Sequence, residues 1–532
     1  MEKDILGRNE VDMKADEGLQ KLGYEQEMTR TRGLPHILFT RNSHCRLNQA
    51  IMAVPYGLAA PFATGLVGGG PAVIFWGWVL VSVFTMSLAL SLGEICAKYP
   101  TSAGAYYWCY RLASPRSRLL ASWINGWLTM VGVWTISLSV TFGTGQLLVA
   151  GVGIFHPEWV ATAWQTYLIF LAVLFISTAI GVFLNEFLPL IDIISACWTL
   201  LGTIVILVCL SAKAAVGRRP AAFALGHFDP SPSGWTAGWS FFIGLLPPAY
   251  TYAAIGMIAS MAEEVHNPTQ QLPRAITWSI PIGFLTGVFF LLPILFTLPD
   301  IATLLAVPGG QPIGVMFEMI MGSKGGGFVF GIGMFCAISI CCAASRATWA
   351  FARDRAIPLH NIFSRVNTLR LFSPSSSTAS GGVPVPVNGY ILSTTIQLLL
   401  GLIYLGSTAA FNAFVGVAVM CLGASYAMPV FISLLNRREA VMDSPYSLGS
   451  WGTVINVTAV LWVSFEMVLF SMPAVIPVTR SSMNYASVVF VGFGLISAIW
   501  YLINGRYHYQ GPPVPDDSTS SSDTNIEEKS AE

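Results

Sequence analysis

The chain has 532 residues, of which 54% are hydrophobic and only 10% charged, and its formal net charge is zero. An average soluble domain carries roughly 25% charged residues, whereas between Leu47 and Ser211 this sequence has only Glu94, Lys98, Arg111, Arg116, Arg118, Glu158, Glu186 and Asp192. That distribution excludes a soluble enzyme, a nucleic-acid binder and a disordered scaffold, and it predicts an all-α integral membrane protein.

The first 40 residues are polar and mixed in charge, without the apolar core of a cleaved signal, and residues 1–46 read as a cytosolic tail. A helix needs about 20 apolar residues to cross the hydrocarbon core. Runs of this kind predict twelve spans, at 47–69, 72–96, 119–149, 162–184, 188–212, 238–261, 275–297, 326–351, 386–406, 409–434, 452–474 and 484–504. The organisation this implies is a first repeat over 47–212, an extracellular loop over 213–237, a second repeat over 238–434, and two further spans within 435–504. Residues 373–382 (SPSSSTASGG) form a low-complexity insert expected to be flexible, and 505–532 form a cytosolic tail too polar to pack. With the N-terminus inside, 22 of the 27 Lys and Arg residues fall on the cytosolic side and 5 outside, so both termini are expected in the cytosol.

The nine cysteines contain no C-x-x-C spacing and sit in or beside apolar runs, so they read as reduced packing residues. No metal site or cofactor is indicated. All seven histidines lie outside the predicted spans, which removes the intramembrane clusters that a membrane enzyme would need.

Two spans stand apart. Span one reads AVPYGLAAPFATG, with Pro55, Gly57, Pro61 and Gly65, and span six reads LLPPAYTYAAIGMIAS, with Pro247, Pro248 and Gly256. Proline removes a helical hydrogen bond, and a freed backbone group in hydrocarbon is costly unless it faces protein, water or ligand. Broken helices at matching positions of two five-helix halves point to a midplane binding site. Neither span carries a charge in its middle, so recognition falls to backbone dipoles, N–H groups for a carboxylate and carbonyls for an ammonium. Tyr56, Tyr250, Tyr252 and Trp134 offer aromatic faces to an ammonium group. Glu94, Glu263 and Glu264 sit at inner helix ends beside Lys98 and Arg274, where salt bridging is the plain expectation. Glu263 is also the better candidate for a coupling proton, because it continues span six. Arg346, Arg353, Asp354 and Arg355 are expected to anchor the inner end of span eight.

The run GGGPAVIFWGWVLVSVFTMSLALSLGEICAKYPTSAGAYYW (68–108) resembles the second span and following loop of fungal amino acid permeases. More narrowly, it is similar to the amino acid/choline transporter group of the amino acid–polyamine–organocation superfamily. MAEEVHNPTQQLPRAI (261–276) and SRATWAFARDRAIP (345–358) agree with that resemblance, which extends over roughly 47–436. It implies a 5+5 inverted-repeat (LeuT-like) bundle with discontinuous helices one and six plus two extra helices. It also implies a small-molecule substrate: an amino acid, 4-aminobutyrate, choline or a related amine, taken up with protons, usually at the plasma membrane. Carried over position by position, the unwound part of span one falls on Pro55, Tyr56, Gly57, Leu58 and Ala59. The span-six signature, commonly Gly-aromatic-Asp in relatives, falls on Ala254, Ile255 and Gly256. The missing aspartate removes a partner for a cationic head and weakens the choline or polyamine reading. The sequence thus points to a permease for a small amino-acid-like solute working by alternating access. An amine permease and a non-transporting nutrient receptor are the alternatives.

Overall fold

A computed structural model describes residues 12–28, 30, 53–212, 217–307, 311–333, 336–369, 383–406, 410–479 and 483–513. The start of predicted span one (47–52), Cys45, the insert 373–382 and the tail from 514 lie outside the described residues. Among the described residues, eleven helical segments are long and apolar enough to cross a membrane. Predicted span one is not among them, because it is cut into two short helices.

The chain begins with helix α1 (12–20), then α2 (Val54–Ala59) and α3 (Phe62–Gly69), which together make span one. Gly69 and Gly70 take φ of 145° and 78°, and Pro71 opens the next helix, so the chain reverses there in two residues. Span two is α4 (Pro71–Lys98), followed by the short α5 (Ala105–Leu112) and by span three, α6 (Arg118–Phe155). At 38 residues, α6 is about 57 Å long at 1.5 Å per residue, so it must tilt or project beyond the hydrocarbon. Spans four and five are α7 (Ala163–Phe183) and α8 (Leu188–Ala212), separated by a single 3₁₀ turn at Asn185–Phe187.

Span six is built from α9 (Ala237–Ile243), α10 (Leu246–Tyr252) and a ten-residue 3₁₀ helix, Ile255–Glu264. Then come span seven, α11 (Pro268–Phe296), the loop helix α12 (Pro312–Met321), and α13 (Gly325–Gly333) with α14 (Cys336–Arg353), which make up span eight. The last four spans are α15 (Val387–Gly401), α16 (Ala410–Leu435), α17 (Gly452–Leu469) and α18 (Ala486–Trp500). The one departure from an all-helical chain among the described residues is a two-stranded antiparallel ladder. It pairs β1 (Asn367–Leu369) with β2 (Val383–Val385), Thr368 opposite Pro384, at the base of the low-complexity insert.

Burial ranks the spans. The apolar window of span six is 83% buried and that of α18 only 11%, so span six runs through the middle of the bundle and α18 on its rim. The long α6 packs along α16, α14 and α13, and α4 packs along α11. The two broken spans touch through α2 and α10. This central placement gives their interrupted backbone protein neighbours instead of lipid.

Candidate functional site

In span one the interruption falls at Ala60–Pro61, not at Pro55–Ala59 as the resemblance implied: residues 54–59 are helical. The reason is positional. Pro55 stands in the first turn of α2, where the missing N–H costs no helical bond, and the chain enters through Ala53 in the left-handed region (φ 37°). Pro61, eight residues into the span, is the proline that ends a helix. The Ala60 carbonyl, buried at the break, is not left bare: the buried Gln311, from the segment before α12, donates Nε2–H to it at 3.1 Å and to the Gln146 side chain at 3.0 Å. No side chain caps the first turn of α3.

Span six breaks twice. Leu245 precedes Pro247 and Pro248 in the first turn of α10, again a starting role, and the chain leaves α10 at Ala253–Ala254. The expected signature Ala254, Ile255 and Gly256 therefore does lie at a break, where α10 passes into the 3₁₀ helix.

The two broken helices meet at Gly57. A Cβ there would lie 2.5 Å from Thr251 Oγ1 and 2.9 Å from Thr251 Cα, so only glycine permits this approach. Both flanking tyrosines tie to span three. Tyr56 donates its hydroxyl to the Val140 carbonyl at 2.8 Å, and Tyr250 Oη lies 2.8 Å from Ser139 Oγ. Trp134 turns its Nε1–H to Thr348 Oγ1 of span eight at 3.1 Å. Tyr252 faces away. It stacks on Trp78 at 4.7 Å and meets Ser82 of span two at 2.9 Å, so it does not join the others. Leu58 and Ala59 are fully buried packing residues.

Two cavities border this cluster. Pro55 and Tyr56 line one of about 310 Å³ that extends between α8 and α13, with Trp198, Thr199, Thr203 and Lys324 among its other walls. Gly256 lines one of about 20 Å³ with Ser102, Thr129, Ser260 and Tyr426. The smaller holds little more than one water. The Tyr426 hydroxyl lies beside the backbone of Gly256 and Met257 without completing a hydrogen bond. Tyr56, Gly57 and Tyr250 thus come together where the broken spans meet, while Trp134 turns to span eight, Tyr252 to span two, and Gly256 borders the smaller cavity.

Charge is concentrated at the end of the bundle that carries the last turn of α14. Arg346 is 2% exposed and donates to Glu264 Oε1 (2.8 Å), Tyr390 Oη (2.8 Å) and Asn185 Oδ1 (2.7 Å). Arg353 donates to Glu263 Oε1 at 3.0 Å, and the Ser102 hydroxyl donates to the same carboxylate. Arg438 grips both oxygens of the buried Glu94 at 2.7 and 2.9 Å. These pairings differ from the expected ones with Lys98 and Arg274. Lys98 instead reaches Asp443, and the glutamates choose arginines from distant helix ends. Asp354 accepts hydrogen bonds from Tyr24 and Tyr106, each at 2.8 Å. Burial pushes its carboxyl above the usual range despite the nearby Arg353 guanidinium. The sequence reading missed Gln311, Gln146, Tyr426 and the whole N-terminal contribution; unpaired glutamines in an apolar context were the available signal for the first two.

A model of the amino acid permease family matches residues 49–493. The chain is 32% identical over 519 residues to Amino-acid permease BAT1 of Arabidopsis thaliana, an alignment covering 93% of this chain and 95% of that protein. It is 30% identical over 540 residues to Polyamine transporter TPO5 of Saccharomyces cerevisiae (98% and 84% covered). It is also 30% identical over 468 residues to a choline transporter of the same yeast (85% and 79% covered). With a nearly all-helical bundle, interrupted spans one and six and a family match over most of its length, the chain belongs to the amino acid permease family of the amino acid–polyamine–organocation superfamily.

Proposed function

We propose that this multi-pass membrane protein is a secondary active transporter for a small neutral amino acid, working by alternating access. The observation that carries the reading is the meeting of two interrupted spans at Gly57–Thr251, beside the hydroxyl-lined face of α6. Backbone groups at such breaks bind a carboxylate and an ammonium without a charged side chain. Among the described residues, Lys324 is the only charged side chain lining the two cavities next to the breaks. A polyamine would bring two or more charges into that apolar setting without carboxylates to meet them, which is costly. A zwitterion brings no net charge.

The two five-helix halves act in this reading as inverted repeats, with spans one and six rocking against spans three and eight. Both termini lie in the cytosol and the membrane is the plasma membrane. Glu263, at the end of span six, is the group that takes the coupling proton when its contact with Arg353 opens. An amine or choline permease is the second reading, supported by the names of two relatives and by the tyrosines around the breaks.

The test is a competition uptake panel in cells lacking their own permeases, with and without a protonophore. Accumulation of a neutral amino acid that collapses with the proton gradient supports the proposal. Accumulation of choline or polyamine alone transfers it to the second reading, and accumulation of neither class overturns both.

A further inference from the structure

The described part of the N-terminal tail is not a free extension. Residues 12–28 and Arg30 lie across the charged end of the bundle, with Leu19, Tyr24 and Met28 each no more than 5% exposed. On one side the segment holds span six and the turn after it. Gln26 Nε2–H donates to the Glu263 carbonyl at 2.7 Å, Arg30 Nη1–H to the Val265 carbonyl at 2.8 Å, and Asp12 meets His266 Nδ1 at 2.7 Å. On the other side it holds the end of span eight. The Tyr24 hydroxyl donates to Asp354 at 2.8 Å, the Arg353 guanidinium lies 4.3 Å above the Tyr24 ring, and Glu27 stands 3.8 Å from Arg353. The loop helix α5 joins in, with the Tyr107 hydroxyl donating to the Leu22 carbonyl at 2.9 Å.

Five polar contacts and an aromatic–guanidinium stack therefore join this segment to two elements that alternating access would have to pull apart, and a sixth polar contact ties it to α5. Two of them terminate on backbone carbonyls of the 3₁₀ helix and its succeeding turn, groups that have no helical partner at a helix end. The segment also roofs a cavity of about 360 Å³ lined by Leu19 and Arg30 on its side and by Ala262 and Glu263 of span six beneath. Its removal would expose that cavity.

We propose that residues 12–30 are an intramolecular latch: docked, they hold spans six and eight together at this end, and they must undock for it to open. The latch takes its physiological meaning from the alternating-access reading, but the labelling test needs no substrate, so the two can fail separately.

The test uses the full chain, purified in detergent, with Ala262→Cys as reporter. Ala262 is 1% exposed beneath the segment. The reaction rate with a hydrophilic maleimide is compared among the docked chain, a deletion of residues 1–30, and the milder Tyr24→Phe/Arg30→Ala double variant; the unsubstituted chain gives the background from its own cysteines. A second reporter, Ala418→Cys in the buried part of α16, reads global loosening. Loss of contacts worth one or two kcal/mol shifts a two-state equilibrium about 5–30-fold. The latch predicts that the double variant raises labelling at position 262 by about that factor with no rise at 418. An unchanged rate at 262 in both variants, or an equal rise at 418, overturns it.

Discussion

The middle of the bundle and its charged end solve the same problem in opposite ways. At the middle, the polar contacts are neutral: Gln311 donates to the Ala60 carbonyl at the break of span one, and the Tyr56 and Tyr250 hydroxyls tie the broken spans to the Val140 carbonyl and Ser139 hydroxyl of the continuous α6. At the end, glutamates are buried against arginines, with Glu94 on Arg438, Glu263 on Arg353 and Glu264 on Arg346. A neutral junction can release a net-neutral solute without leaving a bare charge. A buried ion pair resists partial opening, because separating it strands both charges. In the proposed reading, solute recognition belongs to the neutral region and the holding of a closed state to the charged one.

The strongest way to break that division is Arg346→Ala, which leaves Glu264 buried without its cation and should cost about 3–5 kcal/mol. Thermal unfolding in detergent should show the loss, and solute-induced stabilisation of the surviving folded protein should persist if the middle is independent. Next comes Gly57→Val. Its methyls would be forced into Thr251, an overpacking that costs about 1–3 kcal/mol, and uptake should vanish while the Arg346 network stays intact. Uptake retained with normal kinetics would show that the two spans need not approach there.

A pH titration sharpens the other side of the comparison. Asp354 holds its proton more tightly when folded than when unfolded. Between the usual carboxylate range and that raised value the folded chain binds more protons than the unfolded one, so stability falls as pH rises. The slope is at most about 1.4 kcal/mol per pH unit for one group. Glu27, also raised by burial, slopes in the same direction. Asp354→Asn should flatten the pH dependence of the unfolding midpoint; an unaltered slope would assign it to other groups. The smallest effect is expected from Tyr56→Phe, which removes one hydrogen bond to the Val140 carbonyl worth about 1 kcal/mol. Its signature is a shift of a few degrees or less in the unfolding midpoint, with a change in half-saturating solute concentration if the hydroxyl borders the solute.

Much of this architecture was legible in the sequence because the bilayer allows so few solutions. Long apolar runs can only be helices, so eleven of the predicted spans reappear, and clustered prolines marked both interrupted spans. The position of the first break was not legible. Pro55 and Pro61 are alike as residues, and only the chain's entry through Ala53 makes one a starter and the other a breaker. Nor could local pattern show that Tyr252 turns to Trp78 while Tyr250 turns to Ser139. The ion pairs and the docked N-terminal segment join residues tens to hundreds of positions apart, such as Tyr24 and Asp354. No spacing rule reaches that far.

The second half of span six carries a geometric consequence of its own. Ten residues in 3₁₀ geometry advance about 20 Å, against about 15 Å in an α-helix. Glu263 and Glu264 are therefore carried roughly 5 Å, close to one α-helical pitch, beyond where a regular helix starting at Ile255 would leave them. The stretched coil is what delivers the two carboxylates to Arg353 and Arg346, and rewinding it would withdraw them without unfolding a residue.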